Sequence, residues 1–275
     1  MKLEVKNICK GFEEKQGRRI VLDNISFNVE EGEIVTLLGP SGCGKTTMLT
    51  TIAGFKKPDS GVILLNGESV TKAGPDKAFM FQNYALYPWK TVENNILFPM
   101  KQAKMSAEEQ RKRLDYLLEI SRLREYKHYY PHQMSGGMKQ RTALVRALAV
   151  RPEILLMDEP LGALDIEMRQ SLQNELIDIF RREKLTVIIV THDVSEAIYL
   201  SDRVILMSTN YGEIILNEKI ELDSPRNPED EKFKEYVGLL SNKFIEAGRR
   251  KKERSGRWIL KIINENIYWY KRRWM

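Results

Sequence analysis

A glycine-rich stretch between an apolar run and a helical run restricts the fold more than any other feature of the sequence. The apolar run EIVTLLG, at 33–39, leads into GPSGCGKTT at Gly39–Thr47, and KTTMLTTIAGF continues with helical spacing. The stretch matches the phosphate-binding pattern G-x-x-x-x-G-K-S/T in full, in the strand-to-helix context that the pattern requires. Its glycines let backbone N–H groups turn towards phosphate oxygens, and the helix N-terminus adds a positive dipole end. The sequence therefore predicts a strand–loop–helix unit of an α/β fold that binds phosphates.

The residues of this loop have distinct expected roles. Lys45 is expected to neutralise β- and γ-phosphates, Thr46 to offer an oxygen to Mg²⁺, and Thr47 to contact the phosphates. The candidate phosphate site comprises Gly39, Pro40, Ser41, Gly42, Cys43, Gly44, Lys45, Thr46 and Thr47. Cys43 is either a small filler residue or a thiol whose pKa is lowered by the helix terminus and Lys45. The alternative for the whole stretch is a glycine-rich turn that binds nothing.

Polar side chains follow three other apolar runs. Asp158 and Glu159 end ILLMDEP, His192 follows VIIVT, and Gln82 follows AFMF. Ligands of open α/β sheets bind at the carboxyl ends of parallel strands, so these side chains are expected to meet at the loop. Asp158 and Gln82 are expected to hold Mg²⁺ with Thr46, while Glu159 orients and polarises the attacking water. His192 is expected to contact the γ-phosphate, and the Gln82 amide to reach the water as well. Taken singly, each could be an ordinary turn or hydrogen-bonding residue.

Strands and helices alternate along most of the chain, which favours a mainly parallel sheet with right-handed crossovers. The part at about 84–150 differs, because its runs SAEEQRKRLDYLLEISRL and MKQRTALVRALAVR are helical and no strand is evident. The first of these runs begins with a capping box, Ser106 and Glu109. The sequence therefore predicts a helical insertion within an α/β core.

Composition and length limit the class of protein. The chain has 275 residues, 42% of them hydrophobic and 30% charged, as in a globular protein. Two cysteines, Cys9 and Cys43, do not make a disulfide framework, so a reducing cytosol is expected. No run approaches the roughly 20 apolar residues that span a bilayer, and the N-terminus lacks a signal-peptide pattern. Any contact with a membrane is expected to go through a partner or the protein surface.

A second glycine-containing turn, MSGGMKQR at Met134–Arg141, also opens a helix. Ser135, Gly136 and Gly137 have the make-up of a phosphate-binding turn, and Ser135 lies 90 residues after Lys45. One nucleotide does not need two such turns from one chain. The second turn therefore calls for an explanation beyond the first site.

These motifs, in this order, resemble those of the ATP-binding subunit of an ABC transporter over about 3–228. The corresponding parts are the Walker A loop (Gly39–Thr47), the Q-loop (Gln82), the signature (Ser135–Arg141), Walker B (Ile154–Glu159), the D-loop (Leu161–Asp165) and the switch histidine (His192). The resemblance implies ATP and Mg²⁺ as cofactors. It makes Phe12 the candidate for stacking on adenine, although EEKQGRR lengthens the loop after it. The alternative for Phe12 is a core or turn aromatic.

The resemblance also implies architecture and partners. Such a cassette has the RecA-like parallel sheet core of P-loop NTPases, an antiparallel β subdomain and an inserted α-helical subdomain, here at about 84–150. Two cassettes pair head to tail around two ATP molecules, so Ser135, Gly136 and Gly137 would complete the site of the partner in a homodimer. The surface at 82–94 would receive a helix of separate integral membrane permease subunits. Tyr87 and Trp89 would line this groove or, alternatively, belong to the helical core.

The expected function is therefore an ATPase, peripheral at the cytoplasmic face of the membrane. It would couple ATP binding and hydrolysis to solute import through the permease, with an extracytoplasmic substrate-binding protein as an indirect partner. ALYPWKTVENNI and EPLGALD look most similar to the nitrate/sulfonate/taurine group of importers. The alternative is a soluble ABC ATPase that acts on nucleic acid or ribosomes, but one cassette with a short insertion argues against it.

The C-terminal part falls outside this pattern. We expect a cassette at 1–228, a helical segment at 229–248 and a basic, aromatic-rich tail at 249–275. The tail carries ten lysines and arginines against two glutamates, and three of the chain's four tryptophans. A basic amphipathic helix with aromatics can lie on an anionic membrane surface. An exposed or permease-packed extension is the alternative.

Overall fold

The computed structural model describes residues 1–15, 17–162 and 166–248, with side chains at 163–170 left undescribed. The strands are β1 (Leu3–Glu14), β2 (Gly17–Val29), β3 (Ile34–Leu38), β4 (Ser60–Leu65), β5 (Glu68–Ser69), β6 (Lys77–Met80), β7 (Ile154–Asp158), β8 (Val187–Thr191), β9 (Arg203–Met207) and β10 (Ile214–Lys219). The helices are α1 (Lys45–Ile52), α2 (Val92–Gln102), α3 (Ala107–Ile120), α4 (Gly136–Leu148), α5 (Ile166–Arg182), α6 (Val194–Leu200) and α7 (Glu231–Gly248).

Two sheets form in the described part of the chain. A four-stranded antiparallel sheet has the order β2-β1-β4-β5, and a six-stranded sheet has the order β10-β9-β3-β8-β7-β6. The second sheet is parallel except for β10, which pairs antiparallel with β9. The expected α/β fold with a parallel core and a separate antiparallel sheet is confirmed.

The parallel strands are mainly apolar because both faces of their sheet are covered. All five residues of β3, of β8 and of β9 are buried. Along β3, Ile34 and Leu38 face the hydrophobic core that contains the helices α2 to α7. Val35 and Leu37 face a second core, which contains α1 and the antiparallel sheet. Most polar side chains of such strands lie at or just after their ends, and this places the candidate site at the edge of the sheet.

The helical insertion lies where the sequence predicts it. None of the described residues from 84 to 150 forms a strand, and α2, α3 and α4 occupy most of this stretch. The predicted capping box is confirmed: the Ser106 N–H donates to Glu109 Oε2 at 2.9 Å, and the Glu109 N–H donates to Ser106 Oγ at 3.2 Å. The C-terminal helix α7 ends near the loop after β9, where the Thr209 N–H donates to the Ala247 carbonyl at 2.9 Å.

Two details differ from the sequence-based expectation. EEKQGRR does not lengthen a loop: β1 continues to Glu14, which pairs with Gly17, the first residue of β2. Cross-strand pairing therefore extends the hairpin past Phe12, which pairs with Arg19. The strand β10 has no counterpart in the sequence analysis, because a half-exposed edge strand lacks the continuous apolar run that marks a buried one. The tail at 249–275 and the D-loop residue Asp165 lie outside the described residues.

Candidate functional site

The glycine-rich loop connects β3 to α1, and its shape depends on residues without a side chain. Gly44 is the N-cap of α1 with φ 104°, and no side chain caps the helix. Its first N–H groups are therefore left for an external acceptor, as anion binding at a helix N-terminus requires. A Cβ atom on Gly39 would lie 2.5 Å from the Met207 carbonyl oxygen and 2.7 Å from Cys43 Sγ. Neighbouring backbone and side-chain atoms thus hold the loop close to the end of β9.

Lys45 lies inside the curve of this loop. The residue is buried, and its Nζ donates to the carbonyl oxygens of Gly39 at 2.6 Å and Pro40 at 3.1 Å. Thr46, next along the helix, is exposed, while Thr47 is half-buried. The loop therefore gathers an ammonium group, uncapped N–H groups and a hydroxyl around one concavity, which is the chemistry that binds phosphates.

Cys43 does not have the activated thiol that we considered. Its side chain is buried, and burial raises the pKa of the thiol, although the nearby Lys45 ammonium acts in the opposite direction. The prediction of a lowered pKa is therefore wrong, because desolvation of the thiolate outweighs the local positive charge. The thiol fills the space beneath Gly39, in agreement with the interpretation as a filler residue.

The carboxylate at the end of β7 faces the start of α1. Thr46 Oγ1 donates to Asp158 Oδ1 at 3.1 Å, which joins two residues predicted from separate motifs. Burial raises the pKa of the Asp158 carboxyl, and repulsion from Glu159 acts in the same direction. A half-buried carboxylate beside a hydroxyl, with a raised pKa, is an environment that a cation would stabilise.

Glu159 brings together the ends of three strands. Gln82, after β6, donates from Nε2 to Glu159 Oε2 at 3.0 Å. His192, after β8, places Nδ1 at 3.1 Å from the other carboxylate oxygen, Oε1. Glu159 itself has φ 46°, a left-handed conformation that a residue with a side chain adopts at a cost in free energy. The structure thus groups Gln82, Glu159 and His192, as the sequence predicts.

Phe12 lies apart from this group, on the β1–β2 hairpin. Its ring is half-buried, with Lys56 Nζ 4.8 Å and Lys10 Nζ 5.6 Å from the ring centroid. Lys10 pairs with Leu22, and a Cβ atom on Gly44 would lie 2.7 Å from Leu22 Cδ2. The hairpin therefore flanks the start of α1, and Phe12 stands on its far part beside two lysines.

The signature turn is built differently. Ser135 is exposed and is the N-cap of α4, with its Oγ accepting from the Met138 N–H at 3.3 Å. Among the described residues, no hydrogen bond joins Ser135, Gly136 or Gly137 to Lys45 or Glu159. The two glycine-containing turns of one chain therefore do not share a hydrogen-bonded site.

Sequence reasoning missed two polar residues that anchor the loop between β6 and α2. Arg146, on α4, donates to the carbonyl oxygens of Ala85 at 2.6 Å and Tyr84 at 2.8 Å. Asn95, on α2, is fully buried and accepts from the Tyr87 N–H at 2.9 Å. Both bind backbone rather than a side chain, so no motif marks them. A buried asparagine on an apolar helix face was the one available signal.

The described residues contain neither a membrane-spanning helix nor a cluster of metal-binding side chains. No helix in the described ranges has the length and apolar character needed to cross a membrane. Nor do three or more His, Cys, Asp or Glu side chains there form a cluster that could hold a metal ion.

Comparisons with known proteins agree on one family. The family model described as ABC transporter matches residues 22–162. The chain is 42% identical to the nitrate import ATP-binding protein NrtD of Synechococcus elongatus, over 81% of this chain and 82% of the relative. It is 42% identical to the aliphatic sulfonates import ATP-binding protein SsuB of Bacillus cereus, over 90% of this chain and 98% of the relative.

A longer relative and a solved structure extend this result. The spermidine/putrescine import ATP-binding protein PotA of Thermotoga maritima is 48% identical over 78% of this chain, which spans 57% of that protein. A dimeric ATP-binding cassette in a post-hydrolysis state, bound to ADP and Pi, superposes with a TM-score of 0.69 at 32% identity. That alignment covers 80% of this chain and the whole of the other.

Proposed function

The chain belongs to the ABC transporter family, and on this premise we propose that it is the ATPase subunit that powers solute import through a separate permease. The observation that carries the proposal is the convergence of Thr46, Asp158, Glu159, Gln82 and His192 on one edge of the parallel sheet. The family membership and the dimeric post-hydrolysis relative support ATP hydrolysis as the reaction. The alternative that acts on nucleic acid or ribosomes draws no support from the relatives.

We propose that the loop residues Gly39–Thr47 bind the phosphates of ATP. The uncapped N–H groups at the start of α1 donate to phosphate oxygens, and the Lys45 ammonium exchanges its carbonyl partners for the β- and γ-phosphates. Bound Mg²⁺ would supply further positive charge on the phosphate oxygens. The Thr46 hydroxyl and the Asp158 carboxylate, 3.1 Å apart, are the groups that would hold it, with the Gln82 amide as a third.

Glu159 is the proposed acceptor of a proton from the attacking water. One oxygen of its carboxylate accepts from Gln82, and His192 lies within hydrogen-bond distance of the other. Each oxygen accepts two hydrogen bonds, so both retain capacity for a water molecule. Gln82 and His192 would therefore fix the direction of the carboxylate while it orients and polarises the water. His192 is half-exposed, with its side chain 57% accessible, which leaves it free to contact the γ-phosphate as well.

We further propose that two copies pair head to tail and that each signature turn completes the site of the other copy. Ser135 is exposed, and the helix α4 behind it runs for 13 residues, so its N-terminus offers a dipole end to an external anion. The dimeric state of the post-hydrolysis relative supports pairing of two copies. Phe12 would stack on adenine in the same site, in place of the Lys56 side chain that now lies over its ring.

The proposed permease contact is the surface at 82–94. Trp89 is 71% exposed, and its ring centroid lies 5.8 Å from that of Tyr87. Tyr87 also lies 4.8 Å from Phe98, and both line a groove of about 460 Å³ beside the edge strand β6. An exposed aromatic side chain beside an apolar groove is a feature that accepts a helix of a partner.

The solute class is proposed from two of the relatives. The nitrate and sulfonate import subunits are both 42% identical to this chain, over 81% and 90% of its length. We therefore propose import of a small oxyanion such as nitrate or a sulfonate, delivered by an extracytoplasmic binding protein. The subunit would work at the cytoplasmic face of the membrane, with the cassette at 1–228, a helical segment at 229–248 and a tail at 249–275 that contacts anionic lipid.

Co-purification and hydrolysis together test the proposal. The tagged full-length protein, expressed in its own host, is expected to bring down an integral membrane protein and to hydrolyse ATP in a Mg²⁺-dependent way. Recovery of RNA or DNA in place of a membrane protein would support the alternative function instead. A truncation after Gly248 tests the tail, because unchanged binding to anionic liposomes would exclude its contact with lipid.

A further inference from the structure

The loop that carries Gln82 contains a strained backbone. Two successive residues, Tyr84 and Ala85, have φ values of 61° and 46°. Residues with a side chain adopt this left-handed conformation only where the surroundings compensate for its cost in free energy. The turn is compact, because the Tyr84 N–H donates to the Phe81 carbonyl at 2.9 Å and the Ala85 N–H to the Asn83 carbonyl at 2.7 Å. Gln82 therefore lies inside a turn whose conformation needs support.

Arg146 supplies that support from the helix α4. One nitrogen of its guanidinium, Nη1, donates to the Ala85 carbonyl at 2.6 Å, and the other, Nη2, donates to the Tyr84 carbonyl at 2.8 Å. The guanidinium also lies 5.5 Å from the centroid of the Tyr87 ring. The two accepting carbonyls are those of the two left-handed residues, so one planar guanidinium holds both residues of the strained turn. A guanidinium can do this because its N–H groups form a rigid fork, which an ammonium lacks.

We propose that Arg146 is a positioning residue for ATP hydrolysis, which holds the Gln82 turn so that the Gln82 amide meets Glu159. The inference rests on the proposed function, because that function gives Glu159 its role. Arg146 touches neither Glu159 nor Gln82 through its own hydrogen bonds, and acts through the backbone at 84–85.

The place of Arg146 on α4 gives this contact a second consequence. The helix begins at the signature turn and carries Arg146 ten residues after Gly136, about 15 Å along a rigid rod. A displacement of the signature turn towards the nucleotide of the partner would therefore move the guanidinium and the turn that it holds.

The first test is Arg146→Lys in the full-length protein. The lysine keeps the charge and loses the fork, so we expect kcat to fall about tenfold, equivalent to ~1.4 kcal/mol, with the affinity for ATP nearly unchanged. The matched control is Arg113→Lys, since Arg113 also donates to a backbone carbonyl, that of Leu148 at 2.9 Å, and is itself buried. The control is expected to lower the melting temperature without lowering kcat of the folded protein.

A double-mutant cycle separates positioning from general stability. If Arg146 acts through Gln82, Arg146→Lys has little further effect on kcat in a Gln82→Ala background. If Arg146→Lys lowers kcat by the same factor in both backgrounds, the inference is overturned. The proposed function stays intact in that case as long as the wild-type protein hydrolyses ATP. Absence of hydrolysis in the wild-type protein and in a reconstituted complex with its permease would instead contradict the proposed function.

Glycine substitution supplies a rescue experiment. Glycine adopts a positive φ without steric cost, so Ala85→Gly is expected to restore part of the kcat lost in Arg146→Lys. Lys104→Gly is the control, because Lys104 also has a positive φ, 55°, but is not one of the residues whose carbonyls accept from Arg146. Rescue by both glycines, or by neither, would contradict a specific role at the turn.

A further variant keeps the inference testable if Arg146→Lys does not fold. Ala85 is exposed, so Ala85→Val adds no buried volume but places a β-branched residue at φ 46°. We expect this variant to lower kcat and to spare ATP binding, as Arg146→Lys does. Unchanged kcat in a folded Ala85→Val protein would show that the left-handed turn does not position Gln82.

Discussion

The two glycine-containing turns of this protein use the same physical device in different surroundings. Each precedes a helix whose N-terminal N–H groups point outwards. The loop at Gly39–Thr47 has a left-handed glycine as N-cap and a buried lysine within its curve. The signature turn has Ser135 as N-cap, and the Ser135 hydroxyl satisfies one N–H of its own helix.

The difference lies in what each turn has beside it. Thr46, at the first turn, is 3.1 Å from Asp158, and Glu159, next to Asp158, is bonded by Gln82 and approached by His192. Among the described residues, the signature turn has no hydrogen bond to any of these groups. One turn therefore lies beside the residues proposed to carry out hydrolysis, and the other does not. This difference supports the proposal that each copy carries most of one site and a separate part of a second site.

The largest expected effect comes from removing the chemistry beside the first turn. Glu159→Gln keeps the size of the side chain but cannot accept a proton, so we expect kcat to fall by about 10³-fold. ATP binding is expected to persist, and dimers should accumulate with ATP in size-exclusion chromatography. Glu125→Gln is the control, since Glu125 is exposed and far from the strand ends. Hydrolysis at the wild-type rate by Glu159→Gln would assign the main catalytic carboxylate elsewhere.

A somewhat smaller effect is expected at the second turn. Ser135→Arg places a long side chain at the exposed N-cap of α4, which should prevent this turn from binding the nucleotide of the partner and reduce turnover about a hundredfold. ATP binding by the monomer should remain, because Ser135 has no contact with the first turn. Ser69→Arg, at an exposed strand residue, is the matched control. Loss of ATP binding in monomeric Ser135→Arg would mean that both turns serve one nucleotide.

The smallest expected effect is a difference in thiol reactivity between a residue of the first turn and one of the second. Burial raises the pKa of Cys43, so iodoacetamide should modify it slowly at neutral pH and faster as the pH rises towards that pKa. A cysteine introduced by Ser135→Cys should react quickly, because that position is exposed. ATP should protect the second position only at protein concentrations that allow pairing. Rapid modification of Cys43 in the folded protein would contradict its buried environment.

Local motifs predicted which polar side chains lie close together, because the proposed binding and catalytic residues come directly after predictable strands. Asp158, Glu159 and His192 are found where an apolar run ends, so the parallel sheet alone brings them together. The same reasoning could not predict Arg146, which reaches Ala85 across 61 positions of the chain and binds only its backbone. Such a contact depends on how α4 packs against the loop after β6, and no residue pattern records it.

Environment was also hard to predict from sequence. The positive charge of Lys45 suggested a lowered pKa for Cys43. Only the three-dimensional structure shows that the thiol is buried beside Gly39, close to the end of β9. The EEKQGRR segment was expected to be a loop, because its polar composition conceals strand pairing across the hairpin. Both errors arise where long-range contacts outweigh local composition.

Mixing two inactive variants tests the central claim, that the signature turn serves the nucleotide of the partner. Lys45→Ala destroys the first turn and Ser135→Arg the second, so neither homodimer is expected to hydrolyse ATP. In a mixed head-to-tail dimer, the intact Lys45 of one copy faces the intact Ser135 of the other. Random pairing makes half of the dimers mixed, each with one intact site, so the account predicts recovery of roughly a quarter of wild-type activity. No recovery, with mixed dimers demonstrated by differential tagging, would show that both turns act within one chain.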